Sequence, residues 1–192
     1  NPVWHLPPTV ISKDLVPKGR DMQKRGQDVL AKYKIEAIGA DGKPLDSSKI
    51  NWSLPGAANM PFRQQPGPEN PLGFVKINFH NSHSVYMHDT PHRELFERNA
   101  RFESSGCVRV DNVRLFIDWI MRGQDDFNET QFEMIAASGE NLTMPVRNKI
   151  DVRFMYLTAW ATEDGRVNFR QDIYNLDGTG FVMGQPEGVE ET

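Results

Sequence analysis

Hydrophobic and polar positions alternate over residues 75–79, where Val75, Ile77 and Phe79 are separated by Lys76 and Asn78. A period of two is the mark of a strand with one buried face. His80-Asn81-Ser82-His83 turns the chain, and in the return Val85 and Met87 point one way while Ser84, Tyr86 and His88 point the other. The pattern therefore predicts a hairpin with Tyr86 and His88 on a shared face. Further on the period changes to that of a helix. Val113, Phe116, Ile117 and Ile120 stand at i, i+3, i+4 and i+7, which predicts a helix capped by Asp111 and ended by Gly123.

The flanking regions are less regular. Ser12-Lys13-Asp14 can cap a short turn that Pro17 is expected to end. Met22, Arg25, Val29 and Tyr33 share one face of a helix predicted over residues 21–32. Ala40-Asp41-Gly42-Lys43 is a turn signal, and the Pro-rich stretch 64–71 reads as a rigid, extended loop. A short helix is expected around residues 130–137. A strand is predicted where Ile150, Val152, Phe154 and Tyr156 alternate with Asp151, Arg153 and Met155, and Glu163-Asp164-Gly165 turns it back into Val167 and Phe169. From residue 178 to 192 the chain turns polar and is expected to fray. Together these elements predict a mostly β domain with a few helices, of the α+β class.

Composition adds bounds. A chain of 192 residues with 38% hydrophobic and 25% charged positions is long enough for one well-buried core. It holds no run of about 18 apolar residues of the kind that spans a membrane. A net charge of −4 gives no electrostatic case for nucleic acid or an anionic membrane as partner. One cysteine excludes an internal disulfide. In an exported protein a free thiol needs a reason, and reactivity is the usual one.

That cysteine, Cys107, lies in Ser104-Ser105-Gly106-Cys107-Val108-Arg109-Val110, nineteen residues after His88 and four before the predicted cap. Glycine allows close approach of a substrate, nearby amides can lower the thiol pKa, and a histidine elsewhere can serve as its base. A small buried hydrophobe is the bland alternative. His80, His83, His88 and His92 crowd the same region, but Pro91 separates the last two and no His-Glu-x-x-His is present, so the spacing argues against a metal site. Arg109 can bind a carboxylate or hold the loop. Arg93, Arg98 and Arg101 read as a solvated face. Trp4 and Trp52 read as packing beneath a flap, with a carbohydrate or peptide platform as the alternative.

The segments Gln65-Pro66-Gly67, Asn70-Pro71-Leu72-Gly73, Tyr86-Met87-His88-Asp89-Thr90-Pro91, Leu95-Phe96 and Ser104 through Val110, together with Lys76, Phe79, Asn81 and Arg101, resemble the L,D-transpeptidase (YkuD-type) catalytic domain. The likeness is closest to its larger Gram-negative members with a capping subdomain. It is dense from about Gln64 to Ile120, looser from Asn1 to Ser53, and only generic beyond about Asn141. Many relatives have Ser-His-Gly-Cys; here Ser105 stands in place of that histidine, which leaves His88 as the base. Relatives also carry strands before the Asn-Pro-x-Trp segment. Asn1 is therefore expected to lie inside the native domain, with an N-terminal polypeptide segment completing the sheet.

The resemblance implies a YkuD-like β-sandwich spanning residues 1–192, with a helical cap over residues 12–59. It implies Cys107 as nucleophile, His88 as base, a backbone carbonyl at Asp89 orienting the ring, and Gly106 and Tyr86 among the groups facing the oxyanion. Arg109, Ser105 and Thr90 would contact substrate. No cofactor is implied. The substrate class is the peptidoglycan stem peptide, with a tetrapeptide donor and an acceptor amine, and the product a 3→3 cross-link with release of D-alanine. Carbapenems would be inhibitors, and the location the periplasm, with an inner-membrane anchor in the full-length protein. An L,D-carboxypeptidase, a lipoprotein-anchoring transferase and a non-catalytic wall-binding module remain as alternatives.

Overall fold

The computed structural model describes residues 1–104 and 106–178. They form two compact units, residues 1–149 and a smaller one from residue 150 on.

The first unit opens with strand β1 (Trp4–His5) and a helical run. Pro8 sits at the start of α1 (Pro8–Val10), where its missing N–H costs nothing. The run then widens into one π-helical turn over Ile11–Leu15, in which the Val16 N–H donates to the Ile11 carbonyl. It continues as α2 (Val16–Lys24). Pro17 was expected to stop the chain here. Instead it occupies the first turn of α2, and the wider turn before it accommodates a residue that cannot donate.

The helix predicted over residues 21–32 is broken in two. Gly26, at φ +70°, ends α2 with its N–H on the Gln23 carbonyl and that of Gln27 on the Met22 carbonyl, the pair of bonds that closes a helix through a left-handed residue. Asp28 then caps a second helix, α3 (Val29–Tyr33), accepting from Leu30 and Ala31 N–H. Of the predicted face, Met22 and Val29 reach the core and Tyr33 packs against it, while Arg25 is exposed and Leu30, off that face, is buried beside them.

Strands β2 (Ile35–Ala37) and β3 (Phe62–Gln64) complete a three-stranded sheet in the order β1-β3-β2, antiparallel throughout. Leu6, Ile11, Leu15, Val16, Val29, Leu30, Ile50, Trp52 and Phe62 are among the residues of its core. Trp52 stacks on Phe62 at 5.7 Å. Trp52 is thus packed, as the sequence favoured. The loop after β3 is held by side chains: Gln64 donates to the Tyr33 and Glu69 carbonyls, and buried Asn70 donates to those of Pro2 and Gln65.

The predicted hairpin is present as β4 (Lys76–Asn78) and β5 (Tyr86–His88), antiparallel, with Ile77 opposite Met87. A third strand, β6 (Val108–Arg109), lies parallel to β5, pairing Met87 with Val108 and His88 with Arg109. The amphipathic helix follows as α4 (Val113–Met121). Its cap differs from expectation: Asn112, in a left-handed conformation at φ +47°, holds the N-cap position, and the Asp111 carboxylate accepts instead from the Asn112 N–H. Helix α5 (Glu129–Ser138) matches the stretch expected near residue 130, capped by Asn128 and closed at Gly139. Val113, Ile117, Ile120 and Met121 of α4 pack with Phe74, Val75, Ile77 and Phe132 in a second core.

In the second unit, residues 150–157 do not form the predicted strand. The hairpin lies later, with β7 (Ala159–Ala161) antiparallel to β8 (Val167–Phe169) across the expected Glu163-Asp164-Gly165 turn. Alternation at 150–156 gives a side-chain pattern but no partner strand, and without one an extended segment has no ladder. The helical segments of the described residues hold more positions than the strands. The chain is α+β, and the expectation of a mostly β domain gives way to a mixture of helices and short strands. The tail expected to fray lies, past residue 178, outside the described residues.

Candidate active site

Strand pairing assembles the candidate residues. In a ladder, register partners point to the same side and neighbours along one strand alternate. Tyr86 and His88 therefore share a face of β5. Lys76 is the partner of His88 across β4, and Arg109 its partner across β6. Cys107, one step before β6, falls beside Tyr86. Hairpin periodicity predicted the shared face of Tyr86 and His88; the parallel partner was not readable in the sequence.

His88 is 4% exposed. Its Nδ1 hydrogen-bonds the Asp89 carbonyl. A carbonyl can only accept, so Nδ1 carries the hydrogen, and in the neutral ring the lone pair is on Nε2. Burial lowers the His88 pKa, with the Arg109 guanidinium pushing the same way; the Asp89 and Pro71 carbonyls and the Asp89 carboxylate oppose it. The balance leaves a neutral imidazole at pH 7, the form that can take a proton.

Tyr86 is half-buried, and its hydroxyl hydrogen-bonds both Cys107 and Trp4. Its pKa is pushed up to about 12, first by burial and then by Cys107, so it remains a donor. The indole N–H can only donate. Trp4 thus occupies a lone pair of the Tyr86 oxygen, and the phenolic hydrogen is left for Cys107. The edge of the Tyr86 ring meets His88 at 5.9 Å, and the Lys76 ammonium lies 4.2 Å from the Tyr86 centroid.

The loop before β6 is held from within. Arg109 donates through both terminal nitrogens to the Glu103 carbonyl, each at 3.1 Å, while its buried Nε has no partner among the described residues. Ser104 Oγ donates to the Cys107 carbonyl at 2.6 Å and accepts from the Gly106 N–H at 3.1 Å. Gly106 is at φ +125°, a conformation closed to other residues. Cys107 is free and half-buried. Ser105 lies outside the described residues. Thr90 is 1% exposed, and its hydroxyl accepts from the His92 N–H. Among the described residues, no group of three or more His, Cys, Asp or Glu is placed to hold a metal ion.

Two contributors were missed in the sequence. Trp4 packs against the first core, as the sequence favours, and beyond that it reaches Tyr86. Arg93 is exposed, as expected of a solvated face, and it also donates to the buried Asp89 carboxylate at 2.7 Å. The helical spacing of Asp89 and Arg93 carried that signal, and the Pro91 between them concealed it.

A protein of Haemophilus influenzae that bears the provisional name of L,D-transpeptidase is 32% identical over 178 residues, covering 92% of this chain. The chain spans 35% of that relative's length. The sequence also matches the YkuD L,D-transpeptidase catalytic domain over residues 1–143, which takes in Trp4, both sheets of the first unit and every described candidate site residue. With that match over most of its length, the chain belongs to the YkuD family of L,D-transpeptidase catalytic domains.

Proposed function

We propose that this domain carries out cysteine-dependent acyl transfer on peptidoglycan stem peptides. The observation that supports it best is the parallel register of β5 and β6, which brings Tyr86, His88, Cys107 and Arg109 to one face. In this reading His88 Nε2 takes the thiol proton. The Cys107 thiolate attacks the carbonyl at the L-centre of the third stem residue. The tetrahedral oxyanion receives hydrogen bonds from the Tyr86 hydroxyl and the Cys107 amide. The Gly106 amide joins them when Ser104 Oγ releases it, a change of partner that a hydroxyl rotor makes at little cost.

Collapse of the intermediate breaks the bond to D-alanine, whose amine leaves with the proton held by His88. A thioester remains. The side-chain amine of a second stem then attacks it, His88 accepts the amine proton, and the thiolate departs, leaving a 3→3 cross-link. Arg109 braces the loop through Glu103, and its guanidinium is the group we assign to a stem carboxylate. Ser105 completes the proposed substrate contacts, while Thr90, buried with its hydroxyl on the His92 N–H, holds the turn after His88.

Residues 12–59 form the cap in this reading, resting on their own core, with the second sheet as part of a β-sandwich that an N-terminal segment completes. A carbapenem acylates Cys107 as a substrate mimic, and the location is the periplasm, with an inner-membrane anchor in the longer protein. The test is incubation with a disaccharide-tetrapeptide, followed by mass analysis. A cross-linked dimer supports the reading. A tripeptide points to an L,D-carboxypeptidase, and unchanged substrate to a wall-binding module.

A further inference from the structure

Asp89 follows His88 in sequence, and its side chain is 4% exposed. A buried carboxylate is costly unless paired and hydrogen-bonded. Here Phe74 N–H donates to Oδ2 at 3.2 Å, and Arg93 Nη2 donates to Oδ1 at 2.7 Å. Gly73 packs against the same group: a Cβ there would lie 2.1 Å from Oδ2, and its φ of +57° is itself a glycine conformation. The backbone of Asp89 is pinned as well. Its N–H donates to the Val75 carbonyl at 2.9 Å, and its carbonyl accepts from His88 Nδ1. Arg93 also reaches Asp111 Oδ1 at 3.7 Å, just before α4.

We propose that Arg93 is a positioning residue for His88: by holding the buried Asp89 carboxylate, it fixes the peptide whose carbonyl orients the ring and so the direction in which Nε2 is presented. The proposal rests on the reading of His88 as the base. Arg93 acts through Asp89, not on the reacting atoms. A solvated arginine would leave the carboxylate buried without its cation. That charge would then either escape toward water, taking the Asp89 peptide with it, or stay and draw a proton to the neighbouring imidazole.

The charged and titratable groups around His88 are Tyr86 on its own strand, Lys76 on β4, Cys107 and Arg109 at β6, Asp89, and beyond it Arg93 with Asp111. Of these Asp89 favours the imidazolium and Arg109 opposes it. By charge alone, loss of Arg93 moves the His88 titration upward, while loosening of the Asp89 carbonyl bond, which favours the imidazolium, moves it downward. Loss of the Asp89 charge as well moves it back down.

The test is an NMR titration of the His88 side chain in the parent, R93Q, R93K and R93Q/D89N proteins, run beside the pH profile of Cys107 alkylation by iodoacetamide. We expect R93Q to weaken the hydrogen-bonded Nδ1 proton signal and to shift the His88 titration and the acid limb of alkylation together. R93K should restore both toward the parent, and the double variant should titrate below R93Q. An R93Q protein with the parent's titration and Nδ1 signal overturns the proposal. Should R93Q fail to fold, R93Q/D89N removes the charge that needs burying, and a parent-like Nδ1 proton signal there overturns it equally. The ring is observed directly, so a clamped ring in a protein that makes no cross-link counts against the proposed reaction alone.

Discussion

His88 and Arg109 are register partners on adjacent parallel strands, and the guanidinium donates not to the ring but to the Glu103 carbonyl. One residue thus serves two ends. It anchors the loop that carries Cys107, and its charge adds to the burial that lowers the pKa of the neighbouring imidazole. A base and the nucleophile's loop are fixed by the same strand pair.

Cys107→Ala should abolish the mass adduct formed with a carbapenem while leaving the fold intact, because the half-buried thiol supports neither hydrophobic core. Intact-protein mass spectrometry reads the outcome. Continued labelling of the alanine variant would place the nucleophile elsewhere.

His88→Ala should slow that acylation by roughly 10²–10⁴, the range for removing a general base. Stopped-flow rates at pH 7 are the measurement. A loss below about threefold would mean that Tyr86 and the local amides activate the thiol without it.

Stability should fall as pH drops from about 6.5, the titration point of an unfolded histidine. Burial lowers the His88 pKa in the folded state, so the unfolded chain binds its proton first and is favoured as pH falls toward the folded value. The depressed carboxyls of Asp28 and Glu36 act only in the carboxylate range below this window. Urea midpoints at pH 7.5 and 5.5 should differ in the parent and differ less in His88→Gln; equal differences would remove His88 from the account.

Gly19→Ala should destabilise the protein although it lies within α2. Alanine gains up to about 1 kcal/mol over glycine in a helix, but its Cβ would sit 2.4 Å from the Trp52 ring. Trp52 is 3% exposed and stacked on Phe62, so it has nowhere to go. Overpacking of about 1–3 kcal/mol wins. A raised thermal midpoint would show that the ring gives way.

Replacing residues 12–59 by a short Gly-Ser bridge should leave Cys107 reactive toward a small β-lactam while cross-link formation falls, if that segment closes over the acceptor as we propose. To keep an insoluble deletion from deciding nothing, Trp52→Ala offers a loosened core in place of a missing one. Dimer formation at the parent rate in a folded variant would sink the lid reading.

The sequence by itself determined the local elements whose information is local. The alternation around Ile77 and Met87 produced the hairpin, the spacing of Val113, Ile117 and Ile120 produced α4, and the motif around Cys107 and His88 carried the family. It could not determine what stands beside what. The strand expected at 150–156 had its period but no partner, and the helix over 21–32 had its face but met Gly26. Only the tertiary structure paired β5 with β6, reached Tyr86 with Trp4 from more than eighty positions away, and buried Asp89 against Gly73 and Arg93. The physical reason is range. Periodicity records which face of an element leaves water, whereas a parallel pairing or a buried ion pair is chosen by desolvation and packing between segments distant in the chain.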